Sequence, residues 1–271
     1  MFGVVKWLIR SSPGVRRRVT QLGYELLSRH VDDPRLVLMN YGYAALEGDG
    51  STIELAPADE FNRYGLQLYH RVAAPCDLGG KDVLEVGSGR GGGARFLLER
   101  FGPASVVGVD AAASAVEFCR RAHRAPGLSF RRADAEALPF AAETFDAVLN
   151  VESSHCYGSV AGFLSEVQRV LRPGGWLLFA DLRDRDQAAD LRAALEGCGL
   201  EVVEREDVTA HVIAALDRTA AHKETLLRDM PRAVRGLFRD QSGAPGGAMD
   251  RAFRSGERIY LRYAARKPPG G

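Results

Sequence analysis

From residue 80 onward, short apolar runs alternate with stretches whose apolar residues recur every three or four positions. Short runs bounded by glycine or aspartate read as buried strands, and the three-to-four spacing reads as helices. Strands are expected at 82–86, 106–110, 128–134, 145–151 and 176–181. Helices are expected at 91–101, about 112–123 and 160–172. The last carries Phe163, Leu164, Val167, Val170 and Leu171 on one face, with Pro173-Gly174-Gly175 as its stop. Further on, 185–197 reads as a helix, 200–206 as a strand, 208–239 as largely helical and 259–263 as a final strand. SGAPGG (242–247) and the terminal KPPGG read as loops. Strand–helix alternation of this size predicts the α/β class, a parallel sheet covered by helices on both faces.

Such sheets bind ligands at the carboxyl ends of their strands. The chemistry-bearing residues are therefore Glu85 to Gly91, Asp110, Asp134, Asn150 to His155, and Asp181. Glu85-Val-Gly-Ser-Gly-Arg-Gly91 follows the first run, where Gly87 and Gly89 permit a tight turn with bare backbone against a ligand. Gly91 to Gly93 open the next helix. The loop also satisfies GxGxxG through Gly87, Gly89 and Gly92, so a nicotinamide enzyme is a rival reading. Asp110 ends the second strand, where a carboxylate can accept both hydroxyls of a ribose, a feature common to both cofactor classes. Two acids separate them. Glu85 beside the loop suits an ammonium and repels a pyrophosphate, and Asp134 in Asp-Ala-Glu-Ala-Leu-Pro-Phe140 can take an adenine amino group.

Lys+Arg (36) and Asp+Glu (35) nearly cancel, which argues against a nucleic-acid binder. Locally the balance breaks. Residues 1–30 carry Lys6, Arg10, Arg16, Arg17, Arg18 and Arg29 against Glu25, whereas 31–60 carry Arg35 against seven acids. The basic segment also holds Phe2, Trp7, Leu8 and Ile9, a candidate for weak contact with an anionic membrane surface. A lid helix packed on the body with its arginines in water is the favoured reading. No run of 18 apolar residues predicts a membrane span, and the N-terminus makes a poor signal peptide. Cys76, Cys119, Cys156 and Cys198 are widely spaced without CxxC, as expected for a cytoplasmic protein with neither zinc knuckle nor disulfide framework.

The glycine loop with Glu85, Asp110, the Asp134 turn and Leu171-Arg-Pro-Gly-Gly175, in that order, resemble the class I S-adenosylmethionine-dependent methyltransferases over about residues 80–181. Segments 34–43, 67–97, 119–139 and 148–183 resemble more closely the mycobacterial phthiotriolone and phenolphthiotriolone dimycocerosate methyltransferases, which belong with other polyketide and glycoside O-methyltransferases. The resemblance implies a Rossmann-like seven-stranded mostly parallel sheet with an antiparallel last strand. It implies an N-terminal helical lid over 1–70 and a donor-binding domain over 71–271, with an acceptor cap at about 185–255. It implies S-adenosylmethionine as donor, S-adenosylhomocysteine as product and no metal. Donor contacts would come from Tyr41, Gln67, Glu85, Gly87, Ser88, Gly89, Gly91, Asp110, Ala111, Asp134, Ala135 and Asn150. An aromatic segment in those enzymes folds over the donor, so Tyr41 or Tyr43 would face the sulfonium or else plug the lid against the core.

Methyl transfer needs alignment and, for a hydroxyl acceptor, removal of a proton. His155 in Glu152-Ser-Ser-His-Cys-Tyr157 follows the fourth strand, on the acceptor side, and Asp181 ends the fifth. Some of the resembling glycoside O-methyltransferases use a His at this place with an Asp at the next strand end. His155 is therefore the expected base and Asp181 its partner. His30, His123 and His222 are expected to be solvated, and His70 and His211 structural. The expected activity is O-methylation of a lipophilic natural product. C-methylation, and cyclisation by a fold relative that binds the donor without transferring methyl, stay open, as does the oligomeric state.

Overall fold

The computed structural model describes residues 36–49, 52–229 and 232–270. The basic N-terminal segment, including His30, lies outside them. Seven strands form one sheet: β1 (Asp82–Val86), β2 (Ser105–Asp110), β3 (Leu128–Arg132), β4 (Phe145–Val151), β5 (Leu171–Asp184), β6 (Glu201–Asp207) and β7 (Arg258–Arg266). Their order is β3-β2-β1-β4-β5-β7-β6. β1 to β5 pair in parallel, and β7 is inserted between β5 and β6 antiparallel to both. The expected mostly parallel sheet with an antiparallel last strand is present.

Helices α1 (Arg63–Ala73), α2 (Gly92–Phe101), α3 (Ala113–Ala122), α4 (Val160–Val170), α5 (Ala188–Gly197), α6 (Thr209–Asp229), α7 (Arg232–Gln241) and α8 (Ala248–Ser255) accompany the sheet, with short 3₁₀ helices at Pro57–Asn62, Ser154–Cys156 and Arg185–Gln187. Their ends have local causes. Gly91 and Gly102 bracket α2 in the left-handed conformation, at φ 79° and 60°. The Ser159 hydroxyl caps α4 by accepting from the Gly162 N–H at 2.9 Å.

The sheet separates two apolar layers, and the period of two decides which residue enters which. Val83 joins Leu66, Val72, Phe96 and Leu97 on one face. Leu84 and Val86 join Phe163, Leu164, Leu191 and Leu195 on the other. At the amino ends of the strands, Arg172 Nη1 donates to Asp146 at 2.7 Å and Nη2 to Asp82 at 3.0 Å, tying β1, β4 and β5 together.

The expected elements recur with four differences. α4 ends at Val170, and Leu171-Arg-Pro-Gly-Gly175 begins β5 instead of terminating a helix. Leu171 is already extended (ψ 135°) and pairs with Phe145, and the residue before a proline avoids helical geometry. The expected helix over 208–239 is two helices, α6 and α7. α8 was not foreseen, since eight residues with Met249 and Phe253 as their buried apolar pair give too short a periodic signal. In the segment read as a helical lid, residues 36–46 carry no helix, and α1 buries Leu66, Leu68 and Val72 in the core across the expected boundary at residue 70.

Leu84 is fully buried at the centre of the sheet. Leu84→Ala should lower the unfolding free energy by about 2–5 kcal/mol in urea titration. A loss under about 1 kcal/mol would mean that this layer relaxes around the cavity.

Candidate functional site

β1 and β4 are neighbours although two strand–helix units separate them in sequence, so strand order reverses between them. Connections leave in opposite directions there and open a crevice above the carboxyl ends. A cleft with about 1080 Å³ of empty space, open to solvent, occupies this place. Its walls are the β1 loop, the ends of β2, β3 and β4, and the irregular segment Val37–Asn40.

The β1 loop is held by backbone. The N–H groups of Gly87 and Ser88 both donate to the Val109 carbonyl at 2.8 and 3.0 Å, and the Gly91 N–H donates to the Ser88 carbonyl at 2.8 Å. Gly87 sits at φ 79°, and a Cβ there would come within 2.3 Å of Ser153 Oγ, so only glycine suits it. Asp110 Oδ2 accepts from the Gly89 N–H at 2.9 Å and Oδ1 from the Ala112 N–H at 2.8 Å, which fixes the carboxylate at the cleft wall. Asp134 Oδ1 accepts from the Glu136 N–H at 3.0 Å, and Ala111, Ala112, Ala115 and Ala135 add an apolar surface beside it.

Of the expected donor residues, Gly87, Ser88, Gly89, Asp110, Ala111, Asp134 and Ala135 line this cleft. Glu85, Gly91, Asn150, Gln67 and Tyr41 do not. Glu85 is fully buried beneath the loop, where Oε1 accepts from the Tyr69 hydroxyl at 2.5 Å. Burial pushes its carboxyl up to about 8, against the lowering effect of the Tyr69 hydroxyl and the Ala94 N–H. Tyr69, not Glu85, reaches the cleft. Gly91 packs against His123, Phe130 and Cys119. Asn150 is buried and braces the turn, its Nδ2 lying 3.0 Å from the Val86 carbonyl and 2.8 Å from Ser153 Oγ. Gln67 is buried in α1. The Tyr41 ring meets Phe253 edge-on and its hydroxyl donates to the Gln241 carbonyl at 2.7 Å, so the expected place over the donor is not where it lies. Its neighbours Met39 and Asn40 line the cleft instead. Tyr43 stacks on His211, which pairs with Asp49 at 2.9 Å; both serve the packing. His70 is half-buried near Phe101, and His222 is exposed against Phe61. His123 was expected in solvent but is buried, its Nε2 2.8 Å from the Arg90 carbonyl, because α3 turns that face onto the loop.

The turn after β4 forms the far wall. Glu152 opens it at φ 52°, a left-handed conformation rare for a residue with a side chain. Ser154–Cys156 then makes one 3₁₀ turn. His155 Nδ1 lies 2.7 Å from Asp181 Oδ1, with the Asp fully buried and the imidazole a quarter exposed. Asp181 Oδ2 accepts from the Ser154 hydroxyl at 2.6 Å and the His155 N–H at 2.8 Å, and Oδ1 from the Leu182 N–H at 2.8 Å. Arg183 stands 3.1 Å from Oδ2. Burial disfavours the charge on Asp181, but His155 and Arg183 outweigh it and hold the carboxyl well below the usual range. Burial likewise disfavours the imidazolium, and Asp181 together with the adjacent Cys156 outweighs it, holding His155 well above the ordinary histidine value. The imidazole does not itself line the cleft; Glu152, Ser153, Cys156 and Tyr157 of the same turn do. Arg183 lay within reach of sequence reasoning, since it is two residues beyond Asp181 in a strand and shares its face.

Among the described residues, no group of three or more His, Cys, Asp or Glu side chains is arranged to hold a metal, and no helix is long and apolar enough to cross a membrane.

A parallel α/β sheet with a glycine loop, an acid at each of the next two strand ends and a crevice at the order reversal defines the methyltransferase class of this architecture. Residues 84–179 match the family model described as a methyltransferase domain. The phthiotriol/phenolphthiotriol dimycocerosates methyltransferase of Mycobacterium tuberculosis is 39% identical over 257 residues, covering 94% of each chain. The fatty-acid O-methyltransferase of Mycolicibacterium smegmatis is 39% identical over 256 residues, covering 94% of this chain and 92% of its own. Among solved structures, the [4+2]-cyclase SpnF superposes with a TM-score of 0.72 at 22% identity, covering 93% of this chain and 96% of its own. The geranyl diphosphate C-methyltransferase of Streptomyces coelicolor A3(2), solved with S-adenosylhomocysteine, gives 0.68 at 17%, covering 91% and 97%. The chain belongs to the S-adenosylmethionine-dependent methyltransferases, in the family that contains these mycobacterial enzymes.

Glu85 carries a proton in the folded protein up to about pH 8, but in the unfolded chain only to its ordinary 4.5. Its stabilising effect is complete below the lower value and is lost as pH rises through the upper one. The melting temperature of the ligand-free protein should therefore fall between about pH 5 and 8, and Glu85→Gln should shrink that fall. An unchanged pH slope in the variant would refute the assignment.

Proposed function

We propose that the enzyme methylates a hydroxyl oxygen of a lipophilic, lipid-like acceptor, with His155 as general base and Asp181 orienting it. The observation that carries this reading is the 2.7 Å contact between His155 Nδ1 and a fully buried Asp181 carboxylate saturated by other donors. A carboxylate held in this way keeps the proton on Nδ1 and leaves Nε2 to accept one from the acceptor hydroxyl. The mycobacterial relatives, named for phthiotriol dimycocerosates and for fatty acids, support a lipid-like acceptor.

The cleft fits the donor. Asp110, turned outward by two backbone N–H groups, suits a ribose diol. The alanine surface beside Asp134 suits an adenine, and Asp134 can accept from its amino group. Ser88 Oγ is buried at the cleft without a hydrogen-bond partner among the described residues, so the loop holds polar capacity for a ligand. Bound S-adenosylmethionine supplies an electrophilic methyl group on its sulfonium. Val37–Asn40 serves as part of a lid over the cleft that it lines, and about 185–255 as the acceptor cap.

Asp110→Ala should weaken binding of S-adenosylhomocysteine by about 1.5–3 kcal/mol in calorimetry, the worth of hydrogen bonds to a charged group. Unchanged affinity would remove Asp110 from the donor site.

His155→Ala should lower turnover by about 10²–10⁴ while donor affinity persists, measured by mass spectrometry of the methylated acceptor and by S-adenosylhomocysteine release. Asp181→Asn should impair turnover too, and the two losses should not add. The base must be deprotonated, so the rate should rise with pH through a midpoint above 6.5, since Asp181 raises the His155 value. Asp181→Asn should shift that midpoint down. Near-normal turnover in His155→Ala would leave catalysis to alignment alone.

A further inference from the structure

The sheet dictates the order of groups along the cleft. Strands run β3-β2-β1-β4 beneath it. Asp134 follows β3, Asp110 ends β2 and His155 follows β4. With adenine beside Asp134, ribose at Asp110 and the acceptor hydroxyl at His155, the sulfonium and its methyl group fall where β1 meets β4. The side chains of that junction are therefore the neighbours of the reacting group.

Oxygens build the junction. Asn150 of β4 reaches across to β1, its Nδ2 lying 3.0 Å from the Val86 carbonyl, 2.8 Å from Ser153 Oγ and 2.9 Å from the Tyr157 hydroxyl. The two hydroxyl oxygens are 2.9 Å apart. Ser153 Oγ also donates to the Val86 carbonyl at 3.3 Å. Both oxygens stand over Gly87, where an added Cβ would come within 2.3 Å of Ser153 Oγ and 3.1 Å of the Tyr157 hydroxyl. Gly87, Ser153 and Tyr157 all line the cleft, and Asn150 behind them is fully buried.

The direction of the protons follows from the partners. A backbone carbonyl only accepts, so the Val86 contact fixes the amide nitrogen of Asn150 toward the hydroxyls. That nitrogen can only donate. Ser153 passes its own proton to Val86, and Ser153 Oγ can then accept from Tyr157. The network thus draws hydroxyl protons to its inner side and turns oxygen lone pairs outward. Such a pair suits the charge change of the reaction. The donor carries a positive charge on sulfur and loses it as the methyl group leaves. Neutral oxygens attract the polarised methyl hydrogens. An ionised carboxylate at the same place would hold the charged donor so firmly as to oppose its discharge.

We propose that Ser153 and Tyr157, set by Asn150, recognise the positive charge of the donor, so that their paired oxygens position the sulfonium methyl and favour the charged donor over its neutral product. The inference rests on the proposed places of ribose and base. Tyr157 takes the part expected of Tyr41, which turns away toward Gln241.

The test is calorimetric binding of three ligands to the full chain without acceptor. They are S-adenosylmethionine, neutral S-adenosylhomocysteine, and sinefungin, which carries a protonated amine in place of the methylated sulfur. Each oxygen should be worth about two- to fivefold in affinity, the range of a weak C–H···O contact. The double variant Ser153→Ala/Tyr157→Phe should therefore weaken S-adenosylmethionine by about five- to thirtyfold and sinefungin at least as much. S-adenosylhomocysteine should stay within about twofold, which a merely structural role of the pair would not spare. Equal weakening of all three ligands overturns the proposal, and so does an unchanged preference for the charged ones. If the double variant does not fold, Ser153→Ala alone must lower the preference for the charged ligands by about two- to fivefold, or the proposal falls. Failure of the ribose or base assignment is read separately, in the S-adenosylhomocysteine affinity of Asp110→Ala and the turnover of His155→Ala.

Discussion

The buried Asp181 carboxylate is the interaction on which the far half of the site depends. It stands at the carboxyl end of β5 and accepts from four groups of the adjoining chain, three of them in the turn that leaves β4. A carboxylate with no exposure is costly unless every lone pair is used and a cation stands near. Here both conditions are met, with Arg183 at 3.1 Å completing the set. The turn is consequently pinned to the neighbouring strand, and Glu152, Ser153, Cys156 and Tyr157 hold one geometry at the cleft.

The two halves of the cleft are built by different physics. On the β1–β2–β3 side, backbone does the positioning. Glycines let the loop lie flat on β2, and N–H groups aim the Asp110 and Asp134 carboxylates. Such a wall varies little with side chains, which suits a ligand common to a whole enzyme class. On the β4–β5–β7 side, side chains decide. Glu152, His155, Asp181, Arg183 and Tyr260 come from strand ends and a 3₁₀ turn, and they are held by partners distant in sequence. This second wall can change with few substitutions and leave the sheet intact.

Burial also sets the charge states. Glu85 and Glu152 are both raised to about 8 by desolvation, while Asp181, fully buried like Glu85, is held ionised by two cations. The difference lies in partners. Glu85 and Glu152 meet neutral hydroxyl and N–H donors, whereas Asp181 meets Arg183 and His155. Neutral buried acids beside an ionised one give the site donors and an orienting carboxylate together.

The amino-acid sequence by itself determined the strands and most helices, because their periods and glycine punctuation are local properties. It also identified one wall of the cleft, since residues that end parallel strands must converge on one edge of the sheet. Seven of the expected donor residues line the cleft for that reason. The other expected donor residues, and the histidine expected in solvent, depended on side-chain direction and packing, which no local signal carries. Glu85 points beneath the loop to Tyr69, Tyr41 turns away toward Gln241, and His123 folds inward onto Arg90. Only the tertiary structure brought Tyr41, Glu152 and Tyr260 together from three separate segments. Only it decided, through desolvation, which of their charges survive, because a pKa and a free hydrogen-bonding capacity are set by neighbours that the chain supplies from more than a hundred residues away.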